Sequence, residues 1–395
     1  MAPKTTSSFF LLILGLSVFM IEISLLYGSS DGFCALAVPA SLHGYTCQEF
    51  AVTTQDGYIL SMQRVGGGSD DGGRSKQPVL LQHGVLVDGL TWFLNSPDQD
   101  LPFILVDNGF DVWIANFRGT TFSRKHTTLD SSKSEYWNWS WDEIAEYDFP
   151  ATVNFVYQQT GTKIKYVGHS MGTLVAMTTL SQGKMLDKLE SAALLCPIAY
   201  LNHMRTPLGL VAVHTFTVEI TMLLGVPEFN PNTTGLLNIF DMLCANFGIN
   251  CYELLTPFTG KNCCLNASTV ELALKHEPQP TSTKNAVHFA QTARNTVLSK
   301  YDYGRHNMEY YGQTTPPVYN LSAIPKNFPL FISHGGQDAL SDVEDVSTLL
   351  DVLKSHDGDK LKVQFVKDYG HCDFIIGVTA KDIVYPPLIA FLQGK

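Results

Sequence analysis

The stretch KYVGHSMGTLVA, Lys165 to Ala176, decides the fold. KYVGH has the apolar density of a buried strand and MGTLVA that of a helix, with Ser170 at the join. A strand cannot turn straight into a helix without crowding. Gly168 and Gly172 stand two residues either side of the serine, where small residues let the backbone pass through unfavourable torsions. Gly-His-Ser-Met-Gly is thus the pattern of a nucleophile elbow. Taken alone, the five residues read equally well as a serine N-cap at an ordinary helix start, so the rest of the chain has to decide.

Working outward, strand-like runs recur with helix-like segments between them: PVLLQH, FDVWIANF, KIKYVGH, AALLCP, PLFISH and LKVQFV. This alternation predicts an α/β chain with a mostly parallel sheet covered by helices. LPFILVDNG and the run from Trp141 to Gln159, interrupted by Pro150, supply two of the helices, and Gly109 and Gly183 stand where helix C-termini are expected. Upstream, QEFAVTTQDGYILSMQRV reads as a hairpin with a two-residue turn at Asp56 and Gly57. The glycine-rich GGGSDDGG, Gly66 to Gly73, carries paired aspartates that repel phosphate, so a flexible surface loop is expected rather than a phosphate cradle.

The regular spacing fails once, where more than 120 residues separate AALLCP from PLFISH. A parallel crossover needs only about a dozen or more. The excess, residues 199–326, is expected to be an inserted unit dividing a core of residues 44–198 and 327–395. It contains the run LGLVAVHTFTVEITMLLGV, Leu208 to Val226, in which Glu219 is the only formal charge. A buried helix is the expectation there, one flank of a lipid-facing lid the alternative.

Of the 395 residues, 45% are apolar and only 16% charged, and the formal net charge is −11. That balance, with no basic run, speaks against a nucleic-acid partner. Lys4 and the uncharged stretch Phe9 to Ile21, closed by Glu22, suit a signal peptide over residues 1–30 and are short for a membrane span, so no stable transmembrane anchor is expected. Cleavage is placed between residues 28 and 37: after Ser30, which keeps Cys34, or after Ala37, which deletes it. Four N-x-S/T sequons, at Asn138, Asn232, Asn266 and Asn320, fit passage through the secretory pathway to a secreted or vacuolar destination. With no C-x-x-C pair, no metal is expected, nor any other cofactor. Cys244, Cys251, Cys263 and Cys264 fall within 21 residues and allow one or two disulfides, whereas Cys196, ending AALLC, reads as a buried free thiol.

Serine is a poor nucleophile near neutral pH, so a catalytic Ser170 needs a base and an orienting acid. In doubly wound hydrolase sheets they follow in the order serine, acid, histidine, each in a loop after a strand. For the acid, HGGQDALSDVEDV offers Asp338, Asp342 and Asp345. Ser341 and Glu344 form an S-x-x-E cap that puts Asp342 and Asp345 in a helix's first turns, where acids already serve the dipole. Asp338 is the choice and Asp342 the runner-up. For the base, His371 alone follows the last strand-like run, in YGHCDF; His356 precedes that run and His334 ends the previous one. After PVLLQ, His83 and Gly84 open a loop whose Val85 N–H, or alternatively Leu86 N–H, pairs with Met171 N–H as oxyanion donors. His83 itself is expected to shape that loop.

With these residues in view, LQHGVLVDG, FDVWIANFRG, YDFPATVNF, YVGHSMGT, PPVYNLSAIP, HGGQDALSD and YGHCDF together resemble, in order, the blocks of the acid lipase family, which includes gastric and lysosomal acid lipases and plant relatives. The resemblance runs from about Gly44 to the C-terminus. It implies an α/β-hydrolase core with a helical cap, hydrolysis of neutral lipid esters through a serine acyl-enzyme, Ser170, Asp338 and His371 in the triad positions, and Val85 with Met171 as oxyanion donors. Met171 departs from the glutamine of the animal members, which bears on acyl-pocket shape because the donor is main-chain. The cap cysteines depart in spacing, so no disulfide is carried over, and Cys244 with Cys251 is only a candidate pair. The leading expectation is a lipase acting on acylglycerols at a lipid–water interface; acyl transfer, or hydrolysis of steryl or small esters, would use the same triad, and a hydrolase-fold lipid-binding protein is the non-enzyme alternative.

Overall fold

The central strands are buried on both faces, which is why they read as continuous apolar runs. In the computed structural model, which describes residues 32–67, 76–231 and 251–395, they build one nine-stranded sheet. Its members are β1 (Tyr45–Thr53), β2 (Tyr58–Gly67), β3 (Gln77–Gln82), β4 (Phe110–Ala115), the short β5 (Lys125–His126), β6 (Ile164–His169), β7 (Leu189–Leu195), β10 (Leu330–Gly335) and β11 (Leu361–Val366). A separate two-stranded ribbon pairs β8 (Glu228–Phe229) with β9 (Thr281–Ser282). The main order is β1-β2-β4-β3-β6-β7-β10-β11, with β5 against β2. Pairing is antiparallel through β1, β2 and β4 and parallel from β4 onward.

Successive side chains of these strands feed two cores. Leu80, Trp113, Tyr166 and Leu194 point to one layer, Val79, Leu81, Val112, Val167 and Leu195 to the other. The second layer also takes in Phe33, from the short helix α1 (Phe33–Ala37), and residues of α2 (Leu101–Asp107). The first is roofed by α3 (Phe149–Thr160) and α4 (Met171–Ser181). Because the chain passes to β4 on one side of β3 and returns to β6 on the other, the ends of β3 and β6 flank a topological switch point, the usual ligand position in such sheets.

Gly109 and Gly183 adopt φ of 84° and 73° beyond the ends of α2 and α4, as expected of C-terminal glycines. The hairpin turn is one residue longer than read: Thr54 and Tyr58 still bond, enclosing Gln55, Asp56 and Gly57, with Gly57 at φ 97°. A type I turn followed by a left-handed glycine needs this third residue to match the strand twist. Gly66 and Gly67 belong to β2, and the remainder of that glycine-rich stretch lies outside the described residues. Pro150 does not break the run from Trp141; the helix passes through a π-helical stretch, Ile144–Asp148, and continues as α3 with the proline in its first turn, where no N–H is needed.

Residues 196–329 lie between β7 and β10. There the apolar run is two helices, α5 (Pro207–Thr215) and α6 (Thr217–Leu223), parted by Phe216 at φ 53°. The single buried helix expected is therefore corrected. Among the run's described side chains, Val213 and Val218 are buried in a small core with Met204, Val287, Ala290 and Tyr301, and Ala212 packs against it, whereas Leu223 and Leu224 are 87% and 77% exposed. Further on are α7 (Ala267–His276) and α8 (Thr283–Arg294), and after β10 comes α9 (Val343–Leu353). Arg294 of α8 pairs with Glu219, bonds the Val213 carbonyl and lies over the Phe216 ring, which accounts for the run's one charge. The helix after β10 is also capped differently: Asp342 accepts from Glu344 N–H as N-cap, while the Ser341 hydroxyl turns to the Pro197 carbonyl. Asp342 further pairs with Arg205 and Asp345 with His203.

Residues 33–395 pack as one unit, and the leader reading of residues 1–30 falls outside the described residues. Cys34 joins Cys47, and Cys263 joins Cys264. Cys196 is a buried free thiol, as read, and Cys372 is also free. The Cys244–Cys251 candidate lies outside what is described. No helix among the described residues is long and apolar enough to cross a membrane.

Candidate active site

Ser170 sits between β6 and α4 at φ 53° and ψ −120°, a conformation that costs a non-glycine residue about 1–3 kcal/mol. Its side chain makes no capping bond, which removes the plain N-cap reading. The adjacent glycines are explained by backbone crossings. A Cβ on Gly168 would come within 2.9 Å of the Gly172 carbonyl carbon, and one on Gly172 within 2.8 Å of the Gln82 carbonyl oxygen at the end of β3. A Cβ on Gly84 would meet Ser170 Cβ at 2.9 Å. The β3 loop thus presses directly on the serine.

Asp338 follows β10 and is fully buried. Its Oδ1 accepts from Leu340 and Ser341 N–H at 2.9 and 2.8 Å, and its Oδ2 from His371 Nδ1 at 2.8 Å. Burial alone would raise its pKa; His371 and the two amides outweigh burial and hold it below the ordinary value. The other candidate acids lie apart from the imidazole, committed to Arg205 and His203.

His371 is gripped on every side. Its N–H donates to the Thr259 carbonyl at 3.2 Å, and its carbonyl accepts from His169 Nε2 at 3.1 Å and, more weakly, from Cys196 Sγ at 3.6 Å. The His169 and His371 rings are 4.7 Å apart, which brings the histidine loop to the residue preceding Ser170. The hydrogen bonds of the described residues include the imidazole–carboxylate arm and none from the Ser170 hydroxyl to His371; such arms are often loose before substrate binds. Asp373 anchors the loop further, accepting Gly370 N–H at 2.7 Å and the amides of Cys263 and Cys264 at 3.0 and 3.1 Å. Asn262 Oδ1 takes Cys372 N–H. The sequence offered no signal for His169, Cys196 or Asp373 as supports, since their partners are main-chain groups distant along the chain.

Burial and the nearby His371 lower His169 to about 3, and burial lowers His83 to about 4. His83 accepts Phe117 N–H at Nε2 and donates from Nδ1 to the Gly84 carbonyl. Both nitrogens are committed, so it shapes the β3 loop as expected and moves no proton. His334 is buried against Phe365, and His356 bonds the Phe328 carbonyl. Neither Val85 N–H nor Met171 N–H, at the start of α4, is used in a hydrogen bond among the described residues. The Met171 thioether is met by Asn285 of α8 at 3.7 Å.

A recess of about 10 Å³, room for about one water, lies beside these amides; Gly84, Val85, Met171, Trp139, Pro280 and Thr281 are among its walls. A larger concavity of about 360 Å³ lies elsewhere, between Val52, Tyr147 and Asn154, and includes none of the candidate residues. Asn138, Asn266 and Asn320 are exposed; Asn232 is outside the described residues.

Comparison with known proteins agrees with this architecture. A family model for a partial α/β-hydrolase lipase region matches residues 38–96 and one for the α/β hydrolase fold matches residues 77–218. Triacylglycerol lipase 2 of Arabidopsis thaliana is 52% identical, covering 93% of this chain and 89% of that protein. Gastric triacylglycerol lipase of Rattus norvegicus is 36% identical over 88% and 89%. Among solved structures, a thermostable carboxyl esterase of Bacillus coagulans superposes with a TM-score of 0.54 at 14% identity, covering 88% of this chain and 98% of that one, which speaks for the fold alone. The sequence identity, maintained over nearly the whole length, makes the chain a member of the acid lipase family of α/β-hydrolases and a carboxylic ester hydrolase.

Proposed function

We propose that the protein hydrolyses acylglycerols, with Ser170 as nucleophile, His371 as general base and then acid, and Asp338 as the carboxylate that orients and stabilises the imidazole. The observation that carries this reading is the buried 2.8 Å contact of His371 Nδ1 with Asp338 Oδ2, set beside a strained serine. His371 takes the hydroxyl proton as Oγ attacks the ester carbonyl, and returns it to the departing alcohol. Water then repeats the sequence on the acyl-enzyme. The charge on the tetrahedral oxygen falls to the Val85 and Met171 amides. Leu86 is the weaker choice for that donor, because its φ of 61° and its carbonyl bond to Gln279 N–H commit its backbone to the insertion.

Its triacylglycerol lipase relatives support triacylglycerol as substrate class. We read residues 199–326 as a cap and the exposed apolar side of α5 and α6 as the part that meets a lipid–water interface. The sequons and the Cys34–Cys47 disulfide favour a secretory route to a secreted or vacuolar site, with cleavage ahead of Phe33. The test is hydrolysis of esters graded by chain length and head group. Ser170→Ala is expected to lower turnover by about 10⁶; unchanged turnover refutes the assignment.

A further inference from the structure

The segment His276–Thr281 of the insertion crosses the loop after β3. Gln279 N–H donates to the Leu86 carbonyl at 2.8 Å, and Gln279 Oε1 accepts from both Thr121 N–H and its hydroxyl. Alongside, Asp88 N–H donates to Glu277 Oε1 at 3.1 Å. Both carboxyl groups are buried, Asp88 completely and Glu277 to 8% exposure. Asp88 Oδ1 accepts from Leu90 N–H, but Asp88 Oδ2 and Glu277 Oε2 have no hydrogen-bond partner among the described residues. The hydrolytic steps above use neither residue.

The groups facing this pair are neutral. From the chain after Asp88 come the Leu90 amide and Gly89, whose N–H goes to Asn116 at the end of β4. The insertion contributes the Gln279 carboxamide. Arg118 is committed to Asp56 and Asp148. Among the described residues, no cation acts on either carboxyl. Two adjacent buried anions without a countercharge are strongly unfavourable, whereas one shared proton turns an acceptor that lacks a donor into a donor. Burial accordingly raises the Asp88 pKa, and burial with the neighbouring Asp88 raises that of Glu277.

We propose that Asp88 and Glu277 share a proton and act as positioning residues, holding the Val85–Leu86 loop against the insertion so that loss of this proton releases the loop and weakens the oxyanion site. The proposal rests on the reading of Val85 and Met171 as the oxyanion donors. Its sign follows from raised carboxyl values. The clasp is complete below the ordinary carboxyl range and is lost as pH rises through the raised values.

The test measures kcat/KM on a short dissolved p-nitrophenyl ester from about pH 5 to 9, with thermal unfolding recorded at each pH. Wild type is expected to lose activity at the high end with the slope of one ionisation. In Glu277→Gln the carboxamide donates without a shared proton, so that loss should move up by about one pH unit or more, while the low-pH limb of the profile stays in place. Asp88→Asn tests the same pair from the other side and carries the comparison if Glu277→Gln fails to fold. An unmoved high-pH loss in a folded variant overturns the proposal, as does a wild type without such a loss, even if neither variant folds. Ser170→Ala, run in parallel, separates the two readings: turnover retained there defeats the nucleophile assignment rather than the clasp.

Discussion

A single carboxylate shows how much of the site depends on orientation rather than on presence. Asp338 receives two amides on one oxygen and the imidazole on the other, so Asp338→Asn preserves its shape while turning a donor toward His371. That favours the wrong tautomer, and turnover is expected to fall by about 10⁴ while the fold is kept; a loss below tenfold would count against the carboxylate's role. Because the folded pKa of Asp338 is depressed, its contribution to stability is present above the ordinary aspartate value and disappears as pH drops through the lower folded one. Wild type should therefore lose stability on acidification over that window, and the asparagine variant should lose less. Asp338 was legible because it lies between a strand end and a helix cap, even though the cap proved to be Asp342 and not Ser341. Asp373 was not legible: an acid at a helix start has an ordinary dipole role, and its decisive partners, the Cys263 and Cys264 amides, are 110 and 109 residues away.

Among elements, the inner strands of the parallel sheet could be read directly, since burial on both faces writes itself as apolar runs. The same apolar signature misled at Leu208–Val226. Composition cannot report that the chain reverses its torsion at Phe216, nor that Val213 and Val218 find a core to enter while Leu223 and Leu224 do not. What α5 and α6 leave outside is an apolar surface, tethered to α8 by Arg294. Replacing both Leu223 and Leu224 by serine removes two of its most exposed side chains. Each leucine buried in lipid contributes about 1.5–3 kcal/mol, so activity on emulsified ester is expected to fall by about tenfold or more, while activity on dissolved ester is unchanged. Equal rates for variant and wild type on the emulsion would mean that this surface meets something other than lipid.

At the scale of the whole molecule, the packing around Phe33 bears on which of the two expected cleavage sites, after Ser30 or after Ala37, is used. Phe33 is fully buried against Phe93 and Phe122, and Cys34 next to it closes a 13-residue separation to Cys47 on β1. Phe33 and Ala37 thus belong to the core layer beneath β3 and β4, across the sheet from α4. A chain starting at Val38 forfeits the disulfide, about 3 kcal/mol for a loop of this length, and the phenylalanine, about 2 kcal/mol. Compared with a chain starting at Asp31, its unfolding midpoint is expected to be lower by about 5–10 °C, and the mature N-terminus determined by mass spectrometry should lie ahead of Phe33. Equal midpoints would show that this helix is not part of the stabilising core. A mature terminus at Val38 would show that the native protein folds without it.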